Sequence, residues 1–288
     1  MTKIYDGIIN VYKEKGITSA KVVSIIKHML KQTCPNNSVK VGHFGTLDPD
    51  AQGILPIAIG KATKLFDYFV DKDKKYRVIA EFGYETDTLD ATGKVVKKCS
   101  IVPTKDQIEK KLLNFIGGYK QIPPKVSAKS LHGKRAYDLF RSGIKFELEP
   151  QFVRINEIEL LNYSKYLDLI ISCGKGFYVR SFIKDLAFSL GALATVVSLE
   201  RIETGPFNIK NSKKLDDICF EKDILSVEDV LCKLPSFHIE KQYSKKILNG
   251  VKCNIAEAPE YFKAYVDGFF IGIGEKNDGL VSIKIWLS

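Results

Sequence analysis

Apolar and polar positions follow two periodicities along this chain, and the switches between them outline its elements. Gly7 to Tyr12 is a short apolar run that reads as a strand. Thr18 or Ser19 then offers a side-chain oxygen to the first free amides of a helix. Val22, Ile25, Ile26, Met29 and Leu30 follow at helical spacing and give that helix one buried face. The stretch from Lys40 to Lys64 holds four glycines and two prolines. Such punctuation predicts a loop that comes close to another part of the molecule. Tyr76, Val78, Ala80 and Phe82 alternate with Arg77, Ile79 and Glu81, which is strand periodicity. Asp87, Thr88, Asp90 and Gly93 read as the turn beyond it.

Thr104 followed by Gln107 is a capping-box signature for a helix through about Ile116. Next comes GGYKQIPPKVSAKSLHGKRAYDLFRSG, broken by glycine and proline. It holds Lys120, Lys125, Lys129, Lys134, Arg135 and Arg141, with no acid until Asp138. That density of positive charge suits either an RNA-contacting loop or a solvated hairpin. Leu167 to Ser172 is an apolar strand, and Gly174 to Gly176 turn the chain into a helix. Phe182, Ile183, Leu186, Ala187 and Leu190 line one face of that helix, and Gly191 stops it. Past Leu234-Pro235-Ser236, short apolar segments are separated by Asn249-Gly250, Asp267-Gly268 and Asp278-Gly279, all turn dipeptides. With no internal repeat and no regular βαβ alternation, the pattern predicts an α+β body followed by a small β-rich module.

Composition narrows the function. Across 288 residues, 44 Lys and Arg face 34 Asp and Glu, a net charge of +10. A surplus of that sign suits a nucleic-acid partner, because phosphate neutralisation supplies much of such affinity. No stretch approaches 18 uninterrupted apolar residues, so no membrane-spanning helix is expected. The N-terminal apolar run carries charges, unlike a secretory signal, and the protein is expected in the cytoplasm. Cys34, Cys99, Cys173, Cys219, Cys232 and Cys253 form no C-x-x-C pair, so reduced, mostly buried thiols and no metal are expected.

GILPIAIGKAT resembles a phosphate loop only superficially. Six residues separate Gly53 from Gly60, and Ala62 stands where magnesium binding needs Ser or Thr. GHFGTLDPDAQG is the better candidate: Asp48, between a Gly-Thr turn and Pro49, suits a nucleophile, a general base or a turn former. His43 beside it suits stacking, titration or packing.

These residues carry a resemblance. GHFGTLDPDAQGILPIAIGKATK resembles the catalytic motif of the TruB family of bacterial tRNA pseudouridine-55 synthases. KKYRVIAEFGYETDTLDATGKVV and GKGFYVRSFIKDLAFSLGALATVVSLERIETGPF resemble its second and third motifs. GIINVYKEKGITS is similar to its opening, and PPKVSAKSLHGKRAYDLFRSG to the loop that clamps its RNA. The C-terminal KKILNGVKCN and DGFFIGIGEK resemble, more weakly, a PUA-type RNA-binding module. The likeness covers about residues 7–210 in order, with departures at Glu14, Lys21 and the displaced Lys129-Ser130.

The resemblance implies a pseudouridine-synthase-type mixed sheet with flanking helices over residues 1–234, with the clamp at about 120–150. A PUA-like module would occupy 235–288. It implies isomerisation of uridine 55 in the tRNA T-loop by base flipping, without cofactor, metal or obligate protein partner, in a monomer. Asp48 would be the nucleophile, with Arg180 pairing it through a bidentate guanidinium that favours the charged form. Tyr76 would stack on the target base. His43 would contact the nucleotide or fill the space vacated in the RNA loop, and Tyr178 and Leu199 would line the uridine pocket. Lys64 would touch a phosphate, and Lys129, Lys134 and Arg135 would serve the clamp. The RNA-guided synthases of archaea and eukaryotes share the catalytic motif. A compact chain with no long basic tail fits the stand-alone type better.

Overall fold

The computed structural model describes residues 5–34, 39–131 and 133–288. The body is built on strands β1 (Gly7–Lys13), β2 (Gln52–Ile59), β3 (Lys74–Phe82), β4 (Gly117–Gln121), β5 (Gln151–Tyr163), β6 (Leu167–Cys173) and β7 (Ala194–Thr204). They lie in the order β1-β2-β7-β3-β6-β5-β4, and two short strands complete a nine-stranded sheet among the described residues. Only β2 and β7 pair in parallel, at Gln52 with Glu200 and Gly53 with Arg201. The remaining neighbours along that path are antiparallel, so the sheet is mixed, as expected.

Helix α1 (Ser19–Thr33) starts where Thr18 accepts a hydrogen bond from the Lys21 amide. It buries Val22, Ile26 and Leu30 against β1 and β2. Helix α2 (Lys105–Leu112) has the expected capping box, with Thr104 and Gln107 bonded reciprocally. It ends four residues early, and a 3-10 turn covers Leu113–Phe115. A short helix α3 (Ala136–Arg141) lies in the basic insertion between β4 and β5. Helix α4 (Val179–Ser189) buries Phe182, Ile183, Leu186 and Ala187 on the inner residues of β3 and β6. Gly191 follows it at φ +69°, the left-handed stop that glycine permits.

One expectation fails here. The segment 40–64 is not all loop: its second half is β2, buried from Gly53 to Ile59 between β1 and β7. Ile54, Leu55, Ile57, Ala58 and Ile59 form an apolar run long enough to be a central strand. Pro56 obscures that run, because proline usually marks a strand edge.

Beyond Leu234, β8 (Ser236–Ile239), β9 (Tyr261–Val266), β10 (Phe269–Asn277) and β11 (Leu280–Trp286) form a curled five-stranded sheet with Cys253–Asn254. Asp267-Gly268 and Asp278-Gly279 both take positive φ, as the tight hairpin turns require. Asn249-Gly250 makes no hairpin. It ends an unexpected helix, α5 (Lys241–Leu248), which Gly250 stops at φ +77°. This module has its own core around Phe262 and Val281. Ile273 and Leu287 pack instead with Ile8, Phe44, Ile54 and Phe69 of the body. Among the thiols, Cys34, Cys173 and Cys253 are buried, Cys99 and Cys219 are half-buried, and Cys232 is exposed.

Candidate active site

Asp48 lies on the tight connection between the short strand Val41–His43 and β2. That connection is tied down almost residue by residue. The Phe44 amide donates to the Pro56 carbonyl at 2.9 Å, and the Gly16 amide to the Pro49 carbonyl at 2.9 Å. The Ala51 amide closes the turn on the Asp48 carbonyl at 3.1 Å. Ser19, at the start of α1, engages Leu47 twice: its hydroxyl donates to the carbonyl and accepts from the amide, each at 2.9 Å. Lys13, fully buried at the end of β1, places its ammonium on the carbonyls of Glu14, Ile17 and Pro49 at 3.1, 2.8 and 3.1 Å. Burial lowers the Lys13 pKa to about 8, opposed by the charges of Asp48 and Asp50.

Arg180, in the first turn of α4 and 5% exposed, faces this connection. Its Nη2 stands 2.6 Å from Asp48 Oδ2. The expected bidentate pair is not formed, because the second nitrogen is engaged elsewhere. Nη1 lies 3.2 Å from Asp90 Oδ2 and donates to the Thr88 carbonyl at 2.9 Å. Nη2 also donates to the Val126 carbonyl at 2.9 Å, which fastens the root of the basic insertion to the site. One guanidinium thus serves two carboxylates on different loops. Asp90 is held in turn, its Oδ1 accepting from the hydroxyls of Thr88 and Thr92 at 2.8 and 2.6 Å. Burial pushes the Asp48 carboxyl above the ordinary carboxylate value. Asp90 adds to that rise, while Arg180 and Lys13 pull it back.

Tyr76 is buried on β3, close enough to Arg201 to feel its charge, and burial pushes its pKa up to about 12. Tyr178 precedes α4, its amide donating to Gln121 Oε1 at 2.8 Å. Burial raises its phenol pKa, and the Asp48 charge adds to that rise. His43 is half-buried, with Nδ1 lacking a partner among the described residues. Burial lowers its pKa, and the Arg201 charge lowers it further. A narrow cleft opens on Asp48, Asp90 and Arg180, with Leu199, Val196 and Lys15 in its walls. A larger cavity of about 270 Å³ runs past Lys72–Lys75 and Val230–Leu231 but holds none of these groups.

The fold therefore brings Asp48, Arg180, Tyr76, Tyr178 and Leu199 together, with His43 at their edge. Lys64 does not join them: its ammonium donates to the Trp286 carbonyl at 2.8 Å, tying the body to the C-terminal sheet. In the insertion, Lys129 donates to Gln151 at 2.8 Å, Arg135 donates to the Ala128 carbonyl at 2.7 Å, and Lys134 is exposed. The residues that sequence reasoning missed are Asp90, Lys13 and Arg201. Asp90 was legible only as a turn former, although it stands inside the second resembling motif.

The sheet and its C-terminal module have solved counterparts. A chain in an H/ACA RNP bound to a substrate RNA containing 2′-deoxyuridine superposes with a TM-score of 0.70. It is 21% identical, with 98% of this chain and 85% of that one covered. A chain of the archaeal box H/ACA sRNP Nop10-Cbf5 complex gives 0.69 at 20% identity, over 99% of this chain and 87% of that one. At these identities the likeness shows the fold, and the sequence decides the class, that of the pseudouridine synthases. The family described as TruB family pseudouridylate synthase (N terminal domain) matches residues 27–179. The tRNA pseudouridine synthase B of Clostridium tetani is 38% identical over 97% of this chain and 99% of its own. That of Rickettsia bellii is 36% identical over 93% and 94%. The chain belongs to the TruB family and is an isomerase of that kind.

Proposed function

We propose that this chain isomerises uridine 55 in the T-loop of tRNA to pseudouridine, alone and without a cofactor, with Asp48 as the nucleophile. The observation that carries the reading is the Asp48–Arg180 contact on a connection held by Ser19 and Lys13. Preorganised charge of this kind is what a reaction that develops charge at the site requires. The reaction breaks the N1–C1′ bond, turns the uracil and forms C5–C1′. N1 gains a proton and C5 loses one, so the atoms balance without redox change or energy input.

Arg180 holds Oδ2 of Asp48, and no described residue takes the other oxygen, which is left for the flipped nucleotide. The Tyr76 ring would stack on the extruded base, while Leu199 and Tyr178 wall the pocket and His43 contacts the nucleotide. With its pKa pushed up to about 12, the Tyr76 phenol is a donor or a stacking surface at neutral pH and not a base. Lys129, Lys134 and Arg135 supply the clamp. Residues 235–288, as a PUA-like module, would grip the tRNA away from the chemistry, and Lys64 would brace that module. Net charge of +10 supports a polyanionic substrate.

The test is direct. Purified protein is incubated with an unmodified tRNA transcript, and pseudouridine is mapped by chemical labelling and primer extension. A single new stop at position 55, lost with Asp48→Asn, is expected. A stop elsewhere, or none despite tight binding, overturns the assignment.

A further inference from the structure

Arg201 is among the largest fully buried side chains, 1% exposed, and makes no ion pair with a carboxylate among the described residues. A buried cation without a counter-charge is costly, so its task must lie in what it touches. Its Nε donates to the Ile54 carbonyl at 2.9 Å and its Nη2 to the Gly45 carbonyl at 3.0 Å. Those two carbonyls bracket the connection that carries Asp48. The Arg201 backbone lies in register with Gly53 on one side and Tyr76 on the other. A Cβ added at Gly53 would stand 2.3 Å from the Arg201 carbonyl oxygen, so the strands meet here with no space between them. The charge of the guanidinium reaches Tyr76, His43, Lys13 and Lys74.

We propose that Arg201 is a positioning residue for the isomerisation, an inference that rests on the function proposed above. Its planar fork fixes both ends of the Asp48 connection, and its charge, lying 3.5 Å from where a Cβ on Gly45 would stand, adds to the burial that disfavours protonation of His43 nearby. Lysine has the charge without the fork, and glutamine has a donor without the charge, so two substitutions separate the roles. Protonated His43 would bury an Nδ1–H without an acceptor, in line with a ring kept neutral.

The experiment compares Arg201→Lys and Arg201→Gln in single-turnover rate, tRNA affinity, His43 titration by NMR, and exchange of the Ala51 amide. Both variants should lose about a hundredfold in rate through misplacement of Asp48, with affinity within about threefold. Ala51 exchange should quicken in both while Ile57 in β2 is unmoved. Removing the positive charge in Arg201→Gln should raise the His43 pKa, and Arg201→Lys should keep it low. Should the glutamine variant not fold, the lysine variant alone decides the fork through rate and Ala51 exchange. Unchanged rates, or equal losses of rate and affinity, overturn positioning. A His43 titration indifferent to Arg201→Gln overturns the electrostatic half. The NMR and exchange readouts use the protein alone, so they stand even if wild type makes no pseudouridine. Wild-type turnover with silent variants removes only Arg201.

Discussion

Residue by residue, the site is one guanidinium between two carboxylates. Asp48 and Asp90 repel each other across Arg180, and this repulsion joins burial in raising the Asp48 pKa. The sign of the pH dependence follows. With Asp48 as the proposed nucleophile the reactive form is the carboxylate, so the rate should be lost as pH falls through a pKa above the ordinary carboxylate value. Asp90→Asn removes the like charge and should move that acid limb to lower pH, read from single-turnover rates across pH. A limb that moves upward would show that Asp90 acts chiefly by holding Arg180. Asp48 and Arg180 were legible because the resemblance gives each a role in its motif. Asp90 and Lys13 stand in quoted motifs too, but their contacts with Arg180 and Pro49, 90 and 36 residues away, leave no trace in local periodicity.

Between elements, glycine and proline proved ambiguous. Four glycines and two prolines between Lys40 and Lys64 read as loop, yet Gly53 is there because β7 passes too close for a Cβ. It also sits at φ +109°, where side chains are strained. Gly53→Ala should therefore destabilise the fold by at least about 2 kcal/mol in chemical denaturation, and a neutral result would remove the close-approach argument. The same ambiguity touched Asn249-Gly250, because a left-handed residue ends a helix as readily as it turns a hairpin. By contrast, the alternation of β3 and the helical faces of α1 and α4 were plain, since each packs a single face on one core. Within the insertion, Lys134 is exposed, while Lys129 and Arg135 are anchored to Gln151 and Ala128. Neutralising all three should weaken tRNA binding and flatten the log–log salt slope by about 0.7–0.9 for each phosphate no longer neutralised. An unaltered slope takes the insertion out of the RNA interface.

For the whole molecule, the C-terminal sheet shares a core with the body through Ile273 and Leu287, and Lys64 bonds Trp286 across the same boundary. Sequence patterning predicted a separate β-rich module and could not show this seam, because the apolar residues of β10 and β11 look alike whichever core they enter. Leu287→Ala should cost about 2–4 kcal/mol and lower the stability of body and module together in one cooperative transition. Independent melting of the module would contradict a shared core.

On the proposed function, the Asp48 carboxylate performs the chemistry and leaves the grip to other residues. Transfer of C1′ from N1 to C5 expels the C5 hydrogen, so tritium release from tRNA carrying 5-tritiated uridine reports bond exchange itself. Measured beside tRNA affinity, wild type should release tritium without any added cofactor. Asp48→Asn should release none while binding within about tenfold of wild type. Release by Asp48→Asn at the wild-type rate, or a loss of binding as large as the loss of turnover, would contradict that division of labour.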